Sequence, residues 1–263
     1  MENEVIKVPI IRVSEEGLSS IDDIVVREFP LTIIFNNQEL VTLLCSPKDL
    51  NYLATGFLFS EGLLSGKDEI KNILVDEQRG VVRFETENSN TEATELIFKR
   101  LITSGCGKGA AFYSTSDTST QPEIKSQARI STDDVLSLAK EFQQCSEVFR
   151  TTGGVHSAAL CDADRIILFS EDIGRHNAID KIFGECLLKD IATDDRLILT
   201  SGRISSEILL KVAKRNIPIL ISKSAPTDLG VELANKLGIT LLGFVRGKRI
   251  NIYANEWRIV NDN

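Results

Sequence analysis

The chain has 263 residues and a formal net charge of −8, with 42% hydrophobic and 26% charged residues. This composition is typical of a soluble globular protein with one large domain or two moderate ones. The negative charge argues against general nucleic-acid binding, which needs a basic surface, although local arginines can still bind a small anion. No run of eighteen apolar residues predicts a membrane span. The N-terminus lacks the basic and apolar regions of a signal peptide, so we expect a cytoplasmic protein.

Residues 1–105 are predicted to form a β-rich domain with one helix. Strands over 31–35 and 39–45 flank Asn36-Asn37, and asparagine tolerates the positive φ of a tight hairpin turn. A short strand is predicted over 81–84.

The helix of this region is predicted to follow the hairpin directly. Ser46 is a favourable N-cap residue, and Pro47 suits the first turn because its nitrogen needs no hydrogen-bond acceptor there. The apolar positions then continue towards Leu64.

Residues 106–130 are predicted to form a cysteine loop and a flexible linker. Cys106 lies between glycines in Thr-Ser-Gly-Cys-Gly-Lys-Gly, and a cation at Lys108 would favour its reactive thiolate. Loop position favours a nucleophile or sulfur carrier, whereas the alternative is a small buried apolar residue. The low-complexity segment from Ser114 to Pro122 is typical of a linker.

The five cysteines show no C-x-x-C pair, which argues against a disulfide framework and a zinc site. We therefore expect no permanently bound metal. Apart from Cys106, they lie in apolar segments and are predicted to be inert: Cys45, Cys145, Cys161 and Cys186.

Residues 131–263 are predicted to form an α/β domain. A helix over 132–145 is followed by a regular alternation of strands and helices, which indicates a mixed, mostly parallel sheet. The predicted strands cover 165–169, 197–200, 217–222, 239–245 and 249–253, and the predicted helices cover 178–188, 206–214 and 228–237.

Three polar loops of this domain each connect a strand to the next helix. They are Ser170 to His176, Ser201 to Ser205, and Ser222 to Thr227. Such loops share one edge of an α/β sheet, where ligands bind and where helix N-termini offer free N–H groups to anions.

The chain contains only two histidines, and each lies within a polar motif. His156 follows Gly153-Gly154, and it could position a ligand, relay a proton, cap a turn or be simply buried and satisfied. His176 lies among charged and polar neighbours, which favours a ligand site or a tight network. The alternative is a helix start with Asn177 as N-cap and Asp180 three residues later. The signatures of P-loops, dinucleotide-binding turns, zinc deaminases and serine hydrolases are missing.

Together these motifs resemble the formate dehydrogenase accessory sulfurtransferase family, FdhD. The resemblance covers the chain from about residue 20 to its end, and the E-D-x-G-R-H-N-A-x-D-K segment is the most specific. The matching segments are 53–62, 103–107, 152–159, 171–181, 201–207, 222–228, 243–246 and 251–253.

The resemblance implies a sulfur carrier that takes persulfide sulfur from a cysteine desulfurase. It would pass this sulfur to the molybdenum (or tungsten) bis(molybdopterin guanine dinucleotide) cofactor of formate dehydrogenase. Cys106 matches the persulfide-bearing cysteine, and 244–249 match a cofactor-binding stretch. The family also implies a homodimer and a cytidine deaminase-like, three-layer C-terminal core.

The predicted cofactor-binding residues comprise the two histidines, their polar neighbours and the loops that follow the strands. They are His156, Glu171, Asp172, Arg175, His176, Asn177, Ser201, Gly202, Arg203, Ser222, Ser224, Pro226, Thr227, Phe244, Val245, Arg246, Gly247, Lys248 and Arg249.

One position departs from the family pattern, because many members carry C-G-x-C where this chain has Gly109 in place of the second cysteine. Cys106 would then have to accept and donate sulfur alone. Two other functions stay open: a non-catalytic cofactor chaperone for formate dehydrogenase, and an unrelated Cys–His hydrolase that uses Cys106 and His156.

Overall fold

The computed structural model describes residues 3–87 and 121–261. The first of these ranges contains six strands and one α-helix. In chain order they are β1 (Val5–Ser14), β2 (Gly17–Val26), β3 (Phe29–Phe35), β4 (Gln38–Cys45), α1 (Leu50–Glu61), β5 (Ile70–Asp76) and β6 (Val81–Thr86).

Four of these strands form a sheet in the order β4-β3-β6-β5. The predicted hairpin of β3 and β4 is confirmed, and Asn36 and Asn37 both have positive φ, at 47° and 66°. The predicted strand over 81–84 is also confirmed, as part of β6. Apolar side chains of α1, including Leu53 and Leu58, cover one face of the sheet and complete its core.

The hairpin of β1 and β2 and the strand β5 were not predicted from the sequence. β1 and β2 pair over ten residues as a separate antiparallel sheet. Their apolar side chains alternate imperfectly, and Pro9 within β1 is unusual for a strand.

The second range contains eight strands and five α-helices. They are β7 (Ile130–Ser131), α2 (Thr132–Cys145), α3 (Glu147–Thr152), β8 (His156–Cys161), β9 (Ile166–Asp172), α4 (Arg175–Leu188), β10 (Leu197–Thr200), α5 (Ser206–Ala213), β11 (Ile219–Ser222), α6 (Asp228–Lys236), β12 (Thr240–Arg246), β13 (Arg249–Ala254) and β14 (Ile259–Val260). Every predicted helix and strand of this region is present, with ends shifted by up to three residues.

Six of these strands form the principal sheet, in the order β13-β12-β11-β10-β8-β9. β10, β11 and β12 are parallel, whereas β8 pairs antiparallel with both β9 and β10, and β13 pairs antiparallel with β12. The prediction of an α/β fold with a mixed sheet is therefore confirmed. Only two of the five strand pairings are parallel, however, so the prediction of a mostly parallel sheet is wrong for the pairings. β9, β10, β11 and β12 still run in one direction, so their carboxyl ends share one edge.

Helices cover both faces of the principal sheet. Ala158 and Leu160 point to the face covered by α4, α5 and α6, whereas Ala159 and Cys161 point to the face covered by α2. This alternation follows from the two-residue period of a strand, and it gives three layers in this part of the chain.

The two sheets are joined through a close contact between α1 and α4. A Cβ atom on Gly56 would lie 1.8 Å from the carbonyl oxygen of Asp180, and one on Gly184 would lie 1.9 Å from that of Tyr52. Glycine is therefore required at both positions, because any side chain would force the two helices apart.

Two predicted helix starts are wrong. α1 begins at Leu50 after Asp49, whose φ is 55°, and it ends at Glu61. Ser46 does not cap it, because the Ser46 hydroxyl accepts a hydrogen bond from the Ile173 N–H instead. α4 begins at Arg175 with Gly174 as N-cap, so Asn177 lies in its first turn.

Cys106 and most of the predicted linker lie outside the described residues. Gln121, at the end of the linker, donates a hydrogen bond to the Ala213 carbonyl. In the described ranges, no helix has the length and hydropathy needed to cross a membrane.

Candidate functional site

The polar motifs meet at the edge where β9, β10, β11 and β12 end. β9 ends at Asp172, β10 at Thr200 and β11 at Ser222, and each leads into a helix that begins at this edge. β8 runs in the opposite direction, so its first residue, His156, lies at the same edge beside Asp172. The predicted convergence of the three loops is thus confirmed, and the antiparallel strand adds His156 to them.

Asp172 stabilises the first polar loop, Ser170 to His176, through hydrogen bonds of its buried side chain. Its carboxylate is fully buried and lies 2.8 Å from Lys181 Nζ. It accepts hydrogen bonds from the N–H groups of Ser46 and Gly174 and from Asn177 Nδ2, and Asn177 also donates to the Leu44 carbonyl. Asp172 and Asn177, which were both predicted to bind the cofactor, therefore attach this loop to the N-terminal region. Their contact with a cofactor stays a prediction.

Glu171 faces a different neighbour. Its carboxylate accepts hydrogen bonds from the N–H groups of Val148 and Phe149 at the start of α3. Burial raises the pKa of Glu171 above its usual range, although these hydrogen bonds oppose the rise. Glu171 thus attaches α3 to the end of β9.

His156 and Ser201 connect β8 with the loop after β10. His156 Nδ1 lies 3.3 Å from Ser201 Oγ, which also accepts a hydrogen bond from the Ser157 N–H. Burial and, secondarily, the charge of Arg175 lower the pKa of His156. His156 is therefore a neutral imidazole near pH 7 that is held by a hydroxyl group.

Arg175 lies against the backbone of the second loop. A Cβ atom on Gly202 would lie 2.9 Å from the Cβ of Arg175, so Gly202 permits this approach. Among the described residues, Arg175 Nε is buried without a hydrogen-bond partner, and no side chain caps the N-terminus of α4. Uncapped N–H groups beside an arginine favour an anion.

His176 lies in the first turn of α4, with its Nε2 3.5 Å from Glu207 Oε2. Burial, together with the charges of Lys211 and Arg175, lowers the pKa of His176 to about 3. The contact with Glu207 therefore joins a neutral imidazole to a carboxylate rather than two full charges.

The second polar loop, 201–205, and the third, 222–227, are joined by hydrogen bonds. Ser222 Oγ donates to the Gly202 carbonyl and accepts from the Ser224 N–H. Ile204 pairs with Pro226 as an isolated bridge. Thr227 caps α6 by accepting a hydrogen bond from the Gly230 N–H. These contacts fix the loops, while the side chain of Arg203 stays exposed.

The turn between β12 and β13 carries the remaining predicted residues. Phe244 has a φ of 52°, and its ring lies below the guanidinium groups of Arg246 and Arg249, at 5.8 and 5.2 Å. Gly247 and Lys248 are exposed, whereas Val245 is buried in the core.

A cleft of about 380 Å³ lies between α2 and the ends of β11 and β12. Its lining includes three cations, Lys140, Lys223 and Arg246, and no acidic residue. Lys223 Nζ donates to Gln143 Oε1, and burial lowers the pKa of Lys223. Lys223 lies in the third polar loop but was not among the predicted cofactor-binding residues, and Lys140 was not singled out at all. Only the packing of α2 on the sheet brings these two lysines to Arg246.

The cleft and His156 occupy different parts of one edge. Three strand spacings separate β8 from β12, which corresponds to roughly 14 Å. The edge can therefore hold an elongated anion rather than a single phosphate group.

The described cysteines are unsuited to sulfur chemistry. Burial raises the pKa of Cys45, Cys161 and Cys186 to about 12. Cys145 is exposed on α2, but its pKa is also raised. Among residues 3–87 and 121–261, no group of three or more His, Cys, Asp or Glu side chains could hold a metal ion.

Comparison with known proteins decides the family. A model of the FdhD/NarQ family matches residues 26–260. The chain belongs to the FdhD/NarQ family. Sulfur carrier protein FdhD of Bacillus subtilis (strain 168) is 47% identical over 93% of this chain and 94% of its own length. The Staphylococcus aureus (strain MRSA252) protein of the same name is 40% identical over 96% of each chain.

A solved structure supports the same assignment. It is a crystal structure described as a formate dehydrogenase accessory protein from Desulfotalea psychrophila. It matches with a TM-score of 0.81 and 27% identity, and covers 98% of this chain and 100% of that one. The resemblance inferred from the sequence motifs is thus confirmed at the level of the family.

Proposed function

We propose that this chain is a sulfurtransferase for the maturation of formate dehydrogenase. It takes persulfide sulfur from a cysteine desulfurase and passes it to a molybdenum (or tungsten) bis(molybdopterin guanine dinucleotide) cofactor, which is its substrate. The names of its relatives support the sulfur-carrying part, because the curated relatives are called sulfur carrier proteins. A homodimer, a cytoplasmic location and a cytidine deaminase-like core belong to the same proposal.

The observation that carries the cofactor-binding part is the cationic edge of the principal sheet. Arg175, the cleft with Lys223 and Arg246, and the exposed Arg203 lie along one edge of a chain whose net charge is −8. Arginine donors and free helix N–H groups suit pyrophosphate.

The sulfur-carrying part rests on Cys106. Its thiolate attacks the outer sulfur of the donor persulfide, the sulfur–sulfur bond of the donor breaks, and the desulfurase cysteine leaves as a thiolate. Cys106 then carries the persulfide, and no external oxidant or reductant is needed.

A titration with guanosine diphosphate tests the cofactor-binding part. We expect Arg203→Ala to weaken binding roughly tenfold or more, because a hydrogen bond to a charged group contributes about 1.5–3 kcal/mol. Arg79→Ala is the matched control, since Arg79 is exposed on the turn between β5 and β6. Equal affinities of wild type and Arg203→Ala, measured by calorimetry, would contradict the proposed site.

The alternative is a cofactor chaperone that transfers no sulfur, and the replacement of a second cysteine by Gly109 favours it. Mass spectrometry after incubation with a cysteine desulfurase and cysteine separates the two. A sulfur carrier gains one sulfur atom on Cys106 in the wild type and in Cys145→Ala, but not in Cys106→Ala. A chaperone gains none, and that result would leave only cofactor binding.

A further inference from the structure

His176 and Glu207 form a pair that brings two loops of the site together. His176 lies in the first turn of α4 and Glu207 in the first turn of α5, with Nε2 and Oε2 3.5 Å apart. Their side chains are 28% and 35% exposed, so the pair is open to a ligand on one side. His176 Nδ1 makes no hydrogen bond to any residue of the described ranges.

Burial and the neighbouring cations keep the ring of His176 neutral. Lys211 and Arg175 both face His176, and their positive charges disfavour an imidazolium. Lys211 itself lies 2.6 Å from Asp180 and 3.8 Å from Glu61. Glu207 lies one helical turn before Lys211, and near the N-terminus of α5, which favours a negative charge.

A neutral imidazole carries its proton on one nitrogen only, and a carboxylate can only accept a hydrogen bond. The nitrogen next to Glu207 is therefore the protonated one. The separation of 3.5 Å is long for a hydrogen bond, as is common in binding sites without their ligand.

We propose that Glu207 is a positioning residue that holds His176 in the Nε2–H tautomer and thereby offers Nδ1 as a hydrogen-bond acceptor to a nucleotide cofactor. The ligand group that it accepts from is an N–H of the base or a hydroxyl of the ribose. This inference rests on the proposed function for the ligand, whereas the tautomer is a property of the free protein.

Nitrogen NMR of protein labelled with ¹⁵N-histidine tests the tautomer. The chain has two histidines, so the signals that disappear in His156→Gln belong to His156. For His176 we expect the shift of a bare nitrogen at Nδ1 and of a protonated one at Nε2 near pH 7. Glu207→Gln should give averaged shifts from both tautomers, because an amide can donate as well as accept. Glu232→Gln, an exposed glutamate on α6, should leave them unchanged.

Two results would overturn this part. One is a proton on Nδ1 in the wild type, and the other is an unaltered tautomer in Glu207→Gln. Circular dichroism of the isosteric Glu207→Gln variant verifies that the fold is intact.

Addition of guanosine diphosphate tests the ligand contact. We expect the Nδ1 shift of His176 to move towards that of a hydrogen-bonded nitrogen in the wild type, and by less in Glu207→Gln. Bound nucleotide that leaves Nδ1 unchanged would refute the contact while the proposed function survives. If the nucleotide does not bind at all, the proposed cofactor site fails together with the contact, and the tautomer result still decides the role of Glu207.

Discussion

At the scale of single residues, the site depends on a few side chains that never reach its surface. Lys181 is fully buried and lies against Asp172, with further hydrogen bonds to the carbonyl groups of Ser46 and Glu171. One ammonium group thus joins the end of β9, the segment after β4 and the helix that follows the site. The polar segment 171–181 therefore serves in part to attach the N-terminal region to the principal sheet.

Replacing Lys181 by methionine keeps most of its volume and removes the charge. We expect Lys181→Met to lower the free energy of unfolding by about 3 kcal/mol, because the Asp172 carboxylate loses its charged partner while it stays buried. Urea denaturation measures this change. Lys48→Met, at an exposed position before α1, should alter stability by less than about 0.5 kcal/mol. Similar losses in the two variants would show that the buried pair contributes little.

At the scale of elements, the contact of α1 with α4 leaves the least room for a Cβ atom at any described glycine. The backbones of the two helices are in direct contact at Gly56 and Gly184, so no side chain fits between the helices at these positions. The apolar side chains of α1 also pack against the N-terminal sheet, while α4 carries Arg175 and His176 of the site. The position of the site is therefore coupled to the packing of the N-terminal sheet.

A methyl group at Gly56 tests this coupling. Gly56→Ala should lower the free energy of unfolding by about 2 kcal/mol or more through overpacking, even though alanine gains about 1 kcal/mol in helix propensity. Gly66→Ala is the control, since a Cβ atom there would meet no atom within 4 Å. Thermal unfolding of both variants gives the comparison, and a Gly56→Ala protein as stable as the wild type would contradict the close contact.

At the scale of the whole molecule, elements with strong local signals could be predicted from the sequence. Asn36-Asn37 marked the hairpin of β3 and β4, and the glycine at position 238 marked the end of the predicted helix over 228–237. Both asparagines have positive φ, and Gly238 has a φ of 68°. These features act over three or four residues, which is the range that a sequence pattern reveals.

Features that depend on distant pairing could not be predicted. Ser46 has the chemistry of an N-cap, but its hydroxyl binds Ile173, 127 residues away. The direction of β8 has no signature in its own residues, because an apolar strand pairs equally well either way. The approach of Lys140 and Lys223 to Arg246 likewise follows from tertiary packing alone.

The Gly56–Gly184 crossing bears on whether the chain can be divided. A fragment from residue 121 onwards would lack α1, so the surface of α4 around Gly184 would be uncovered. The Asp172 carboxylate would also lose its hydrogen bond from the Ser46 N–H. The half that carries the proposed anion-binding edge is thus not expected to fold on its own. Fusions and truncations should keep both halves on one polypeptide.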